Sequence, residues 1–199
     1  QKTAYEIPKR DWSSDVCSSD LNIIFKQHHM TSKTSHAIKH RSVTKDVFYT
    51  PKAVALTHIS LISKTDGDKW LDSFRGKGIY YDNFPTESKD WCEITDDKDF
   101  FTYKGKVDII CSNPPYSLLD KVFEKSIELE PRVISYLLLH GSMTPRRMEM
   151  FNKAGYGLVS IYTTKVYKWY GMAEAYTFEK SKPNMASITY DRIVHKSDD

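Results

Sequence analysis

The chain has 199 residues, 40% of them hydrophobic and 28% charged, with a formal net charge of +3. Those values describe an ordinary globule of one domain, barely long enough for two, and the net charge alone identifies no nucleic-acid partner. No apolar run approaches the roughly 18 residues of a membrane span. No charged-then-apolar N-terminus reads as a signal peptide, and Cys17, Cys92 and Cys111 are spaced for neither a disulfide framework nor a zinc site. A reducing, cytoplasmic setting with no membrane and no metal partner is expected.

Residues 11–21 (Asp-Trp-Ser-Ser-Asp-Val-Cys-Ser-Ser-Asp-Leu) match the translation of a common sequencing adapter in one frame, so residues 1–21 read as a non-native scar. Read instead as a Ser/Asp linker, the stretch carries no chemistry either. Residues 22–46 form a basic arm, with Lys26, Lys33, Lys39, Arg41 and Lys45 against Asp46 alone. His36 and His40 have helical i, i+4 spacing, but nothing nearby completes a metal site. A solvated or phosphate-facing arm is expected.

From Asp46 the pattern becomes that of a catalytic domain, expected over 47–195, with 196–199 as a tail. A strand-like Val47-Phe48-Tyr49 runs into Thr50-Pro51, an N-cap and first-turn proline, and a helix follows with Leu56, Ile59 and Ile62 on its apolar face. A strand then ends at Asp72 and opens through Phe74 into a loop with Gly76 and Gly78, residues that let a backbone approach a ligand closely. Glu93, at the end of the next strand and 21 positions after Asp72, is placed where a ribose diol needs a carboxylate. Asp96, Asp97 and Asp99 read equally as a solvated acidic turn.

Val107 to Cys111 is an apolar burst typical of a buried parallel strand, and it stops on Asn113-Pro114-Pro115-Tyr116. A stiff loop is thereby placed at the carboxyl end of a central strand, where open α/β sheets bind their ligands. The Asn113 side-chain oxygen and the Pro114 carbonyl can each accept one N–H of a planar amino group, and Tyr116 can stack on the ring that bears it. Beyond it, a helix is expected over 118–130, a buried strand over 132–140 and a helix over 145–154 ended by Gly155. Residues 158–170 and 185–193 alternate as a closing antiparallel pair. Lys165, Tyr167, Lys168 and Trp169 interleave cations with aromatics, a mix suited to nucleic-acid backbone contact and base stacking, or to a hairpin with a lysine face.

Taken in order over 46–195, these stretches resemble the S-adenosylmethionine-dependent amino-group methyltransferases, above all the N6-adenine DNA methyltransferases. Asn113 to Tyr116 resembles their Asn-Pro-Pro-Tyr motif. Phe48-Tyr49-Thr50-Pro51 resembles the Phe-Tyr-Thr-Pro segment that contacts the methionine end of the cofactor. Asp72 to Gly78 resembles their Asp-Pro-Phe-x-Gly-x-Gly cofactor loop, with departures at Ser73 and Lys77. Asp99-Phe100 resembles the acid–aromatic pair that holds the cofactor's adenine, and the order of motifs resembles the gamma type.

The resemblance implies a Rossmann-like α/β fold, with a mostly parallel central sheet, an antiparallel C-terminal hairpin and helices on both faces. It implies methyl transfer to adenine N6 in flipped-out DNA, catalysed by Asn113, Pro114, Pro115 and Tyr116 in a bacterial, phage or viral host compartment. Transfer to an RNA base or a protein glutamine amide is the alternative. A third reading is a nucleic-acid-binding module with a degenerate cofactor site, for which Ser73 and Lys77 are the argument.

Overall fold

The structure, a computed structural model, describes residues 48–166 and 171–196, with the backbone alone for 192–194. Residues 1–21, the basic arm, and Tyr167, Lys168 and Trp169 lie outside the described residues.

The apolar bursts of the sequence form the centre of a single sheet. Trp70–Asp72 (β1) and Ile109–Ser112 (β3) are buried at every position, as strands covered on both faces must be. Lys89–Trp91 (β2), Val133–Leu139 (β4), Tyr156–Val166 (β5), Ala173–Lys180 (β6) and Ser187–His195 (β7) complete it in the order β2-β1-β3-β4-β6-β5-β7. β2, β1, β3 and β4 pair in parallel. β6 is antiparallel to both β4 and β5, and β7 is parallel to β5. All strands except β6 therefore point their carboxyl ends to one edge, and the loops that follow them gather there.

Alternation along the strands divides the core between two faces. Ile110, Ile134 and Tyr136 pack with Val122 and Phe123 of helix Leu119–Glu128 (α2) and Phe151 of helix Pro145–Lys153 (α3). Ile109, Cys111 and Val133 pack on the other face with Ala55 and Ile59 of helix Lys52–Ser60 (α1). On the first face the Phe151 and Phe178 rings stack with centroids 4.0 Å apart. The sheet with helices on both faces, expected from the sequence, is the fold.

Three local expectations are corrected. Phe48 and Tyr49 form no strand, and Pro51, not Thr50, is the N-cap of α1, with no side-chain cap. Leu56 faces solvent at 43% exposure, because the buried face of α1 runs through Val54, Ala55, His58 and Ile59. The closing pair is not the one expected. Residues 158–166 and 187–193 belong to strands that run parallel, and the antiparallel partner of β5 is β6. β6 was hidden because one of its faces carries the small residues Ala173, Ala175 and Thr177 and the other mixes Glu174 with Tyr176 and Phe178, so the apolar/polar alternation is blurred.

His58 carries a polar chain through the core on the α1 side. Its Nδ1 lies 2.9 Å from the Tyr80 hydroxyl and its Nε2 2.7 Å from Ser135 Oγ, which meets Thr177 Oγ1 at 2.7 Å. Burial pushes its pKa down from 6.5 to about 3, so the folded protein holds it neutral. A folded value below the unfolded one gives stability that is present above pH 6.5 and lost as pH falls towards 3, to the order of 4 kcal/mol. His58→Gln should therefore unfold at lower urea than the wild type at pH 7.5, with a flatter dependence between pH 6.5 and 4. Urea midpoints of both proteins across that range measure it, and parallel slopes would exclude this role for His58.

Candidate active site

At the end of β1 the backbone turns at once. Gly76 and Gly78 take φ of +49° and +86°, the left-handed region in which a side chain is strained. The Gly78 N–H donates to the Arg75 carbonyl at 2.8 Å and closes the turn. The Gly76 N–H points instead to the next strand's loop and donates to Glu93 Oε2 at 2.8 Å. Glu93 Oε1 accepts from the Thr95 hydroxyl at 3.3 Å, so its carboxylate is fixed between the two loops.

A short turn, Phe100–Thr102, follows. Asp99 Oδ1 accepts the Phe101 N–H at 3.0 Å and holds that turn in place. The Phe100 ring then meets Phe74 edge-on, with centroids 5.2 Å apart. An apolar wedge thus lies beside two carboxylates, an arrangement suited to a flat heterocycle carrying a hydroxylated sugar.

The Asn-Pro-Pro loop follows β3. Asn113 Nδ2 lies 2.9 Å from the Phe48 carbonyl and 3.2 Å from Thr50 Oγ1, and its Oδ1 accepts the Tyr116 hydroxyl at 3.1 Å. The Tyr116 ring stacks on Phe48 with centroids 5.6 Å apart.

These loops enclose one cavity of about 320 Å³, a volume ordinary for a small-ligand site. Phe48, Tyr49 and Thr50 line it, as do Phe74 and Gly76, then Glu93, Asp99 and Phe100, and finally Asn113, Pro114 and Pro115. Three stretches expected to bind a cofactor and one expected to hold the reacting amine are thereby brought together.

Four expected site residues stand behind the wall rather than in it. Pro51 is buried at the start of α1. Gly78 shapes the turn from outside, where an added Cβ would come within 3.0 Å of the Asp82 carboxylate. Asp72 is fully buried, accepting the Ser112 hydroxyl at 2.7 Å and the backbone N–H of Tyr81 at 3.2 Å and of Phe74 at 3.4 Å. Burial outweighs those donors and pushes its pKa up to about 6. Tyr116 is the fourth, engaged with Asn113 and Phe48. Lys165 is exposed near the end of β5, on the strand-end edge of the sheet that carries Asn113.

Both departures from the expected glycine loop have a structural account. Ser73 is fully buried and its Oγ meets the Tyr136 hydroxyl at 3.2 Å, which in turn meets Ser126 Oγ at 2.8 Å. Lys77 lies at the cavity rim with its ammonium 3.9 Å from the centre of the Tyr49 ring, a cation–π contact between the glycine loop and the segment before α1. Arg75 also lines the cavity and lies 4.5 Å from the centre of the Trp91 ring. The sequence reading missed Arg75, Tyr80 and Ser112. Only Ser112 has a legible signal, a hydroxyl at the end of an otherwise apolar strand. Among the described residues no group of three His, Cys, Asp or Glu could hold a metal ion, and no helix is long and apolar enough to cross a membrane.

No known protein family and no curated protein matches the chain. Solved structures do. A predicted O-methyltransferase from Agrobacterium tumefaciens shares 12% identity at a TM-score of 0.50, over 73% of this chain and 89% of that one. A modification subunit assigned to a type I restriction enzyme from Vibrio vulnificus shares 13% at 0.51, over 88% of this chain and 53% of that one, so this chain spans about half its length. A protein from Listeria monocytogenes, assigned as a class I S-adenosylmethionine-dependent methyltransferase, shares 12% at 0.51, over 81% and 68%. At such identities the likeness is one of fold, and that fold is the Rossmann-like fold of the class I S-adenosylmethionine-dependent methyltransferases.

Proposed function

We propose that the chain transfers a methyl group from S-adenosylmethionine to the N6 amino group of adenine in DNA. The observation that carries this reading is the meeting of the Asn-Pro-Pro loop, the glycine loop and Glu93 around one cavity. The fold supports the cofactor class, and one similar structure is a restriction-enzyme modification subunit, which agrees with a DNA substrate. Residues 47–195 act as a single catalytic domain in this reading, preceded by the basic arm 22–46.

The wall fits the cofactor by its donor and acceptor chemistry. Glu93 would accept from the ribose hydroxyls and Asp99 from the adenine amine, with the Phe74–Phe100 pair as the apolar wall beside that ring, and the Gly76 loop with Phe48 to Thr50 would border the amino-acid end. When bound, the cofactor supplies a methyl group on a sulfonium.

A target adenine enters by flipping, at a cost of a few kcal/mol in lost stacking. Asn113 Oδ1 accepts one N6–H and the Pro114 carbonyl the other, which pulls the nitrogen out of conjugation with the ring and turns its lone pair towards the methyl. Pro115 has no N–H to offer, so nothing in the tripeptide beyond Asn113 itself competes with the amine as a donor. The base meets the stacked Phe48–Tyr116 pair rather than Tyr116 alone. Lys165 serves the DNA backbone from the same edge of the sheet, and by their chemistry Tyr167, Lys168 and Trp169, outside the described residues, suit the backbone and neighbouring bases.

Incubation of the chain with methyl-labelled cofactor and DNA, RNA or a release factor in turn should label DNA, at adenine N6. Asn113→Ala should lower that transfer by about two to three orders of magnitude, as loss of a well-placed polar group does elsewhere, with cofactor affinity within a few-fold of the wild type. Transfer that survives the substitution removes Asn113 from the mechanism. Glu93→Ala should weaken cofactor binding by about tenfold or more, the worth of a charge-assisted hydrogen bond. Calorimetry reads that affinity, and an unchanged value would place the ribose elsewhere.

A further inference from the structure

The segment before α1 was expected to serve the cofactor, yet its most definite contacts are with the catalytic loop. The Phe48 carbonyl and the Thr50 hydroxyl lie 2.9 and 3.2 Å from one nitrogen, Asn113 Nδ2. A backbone carbonyl can only accept, so the atom facing Phe48 must be the amide nitrogen and not its oxygen. The two hydrogens of that nitrogen have two acceptors, and the carboxamide has no donor left to offer. Thr50 is itself only 8% exposed, and water cannot readily replace its oxygen. On the other side of the amide, Oδ1 takes the Tyr116 hydroxyl with one lone pair and keeps a second.

We propose that Thr50 is a positioning and specificity residue. Together with the Phe48 carbonyl it consumes both hydrogens of the Asn113 amide and makes the amine site acceptor-only. The inference deepens the reading above and rests on it. Asn113 Oδ1, the Pro114 carbonyl and a proline without an N–H present three groups, none of which can donate. A substrate atom carrying two hydrogens fits, while a carbonyl or carboxylate oxygen at that place would face acceptors on every side. Without Thr50 Oγ1 the amide is held by the Phe48 carbonyl alone, so its orientation is less firmly set, and whenever it turns it points a donor at the substrate.

Thr50→Val keeps the shape and removes the acceptor, and Thr50→Ser restores it. The side-chain amide of Asn113, identified by its disappearance in Asn113→Asp, should show two exchange-protected protons in the wild type and one in Thr50→Val. The kcat for adenine-containing DNA should fall in Thr50→Val by about tenfold to a hundredfold, the range for a lost hydrogen bond that sets a reacting geometry. The cofactor Kd should change by much less than the kcat, the melting temperature should fall modestly because a buried donor loses its acceptor, and Thr50→Ser should recover most of the rate and of the stability. A DNA with hypoxanthine in place of the target adenine, which offers an oxygen where the amine was, should gain affinity relative to adenine in Thr50→Val. Unprotected amide protons in the wild type, an unchanged kcat in Thr50→Val, or a loss confined to cofactor affinity would each overturn the inference. Absence of transfer by the wild type to DNA would instead overturn the DNA-methyltransferase reading, and the amide protons alone would then decide the role of Thr50.

Discussion

The site depends on a carboxylate that the sheet has buried. Asp72 ends β1 and Ser112 ends β3, neighbours in the parallel sheet, and the serine hydroxyl donates to the carboxylate at 2.7 Å. The same carboxylate accepts the N–H of Tyr81, beyond the glycine turn, and of Phe74, within it. One side chain therefore sets the glycine loop against the Asn-Pro-Pro loop, which begins at the residue after Ser112. A water-filled contact could not do this, because an exposed carboxylate exchanges its partners freely, whereas a buried one is costly unless its donors stay in place. The rise of its pKa to about 6 marks that cost.

That arrangement explains what could be read in advance. A loop motif states its own chemistry, since the groups that Gly76, Asn113 and Pro114 offer are local to a few residues, and all three line the cavity. The central strands were legible too, because burial on both faces leaves a plain apolar run. Contacts between segments distant in sequence were not. Asp72 resembles a ligand residue in the sequence and becomes a strand-to-strand tie in the fold, a role that needs Ser112 forty positions away. Tyr116 shows the same gap. Its ring was free to stack in the sequence reading, but Phe48, 68 positions earlier, already takes it. β6 failed for a different reason. One of its faces carries the small residues Ala173, Ala175 and Thr177 and the other mixes Glu174 with Tyr176 and Phe178, so neither face reads as a plain apolar row.

The departures at Ser73 and Lys77 bear on the reading of a decayed cofactor site. A serine where proline is usual adds a buried hydroxyl, which is costly when unpaired, but here it joins Tyr136 and Ser126 in a hydrogen-bonded chain. A lysine where a small residue is usual would obstruct the loop if it lay across the cavity. Its position over the Tyr49 ring gives the ammonium a place at the rim, where the cation–π contact joins two loops that have no backbone pairing between them. Both substitutions are thus absorbed by neighbours, and the wall they belong to keeps its carboxylates and aromatic rings.

Fold by itself leaves the acceptor of the proposed reaction open, since similar sheets belong to a predicted O-methyltransferase and to a restriction-enzyme modification subunit. Polarity at the reacting position discriminates more sharply. An oxygen nucleophile arrives either as a hydroxyl that must shed its proton to a base or as an anion that needs donors around it. The Asn-Pro-Pro tripeptide supplies neither: its amide nitrogen is turned away onto Phe48 and Thr50, and its prolines have no N–H. An amine brings the donors itself and can lose its proton after attack, so the same loop suits it without a base. On the proposed function, a preference for nitrogen over oxygen would follow from which way one asparagine faces, and that facing is set by two oxygens lying more than sixty residues before it in the chain.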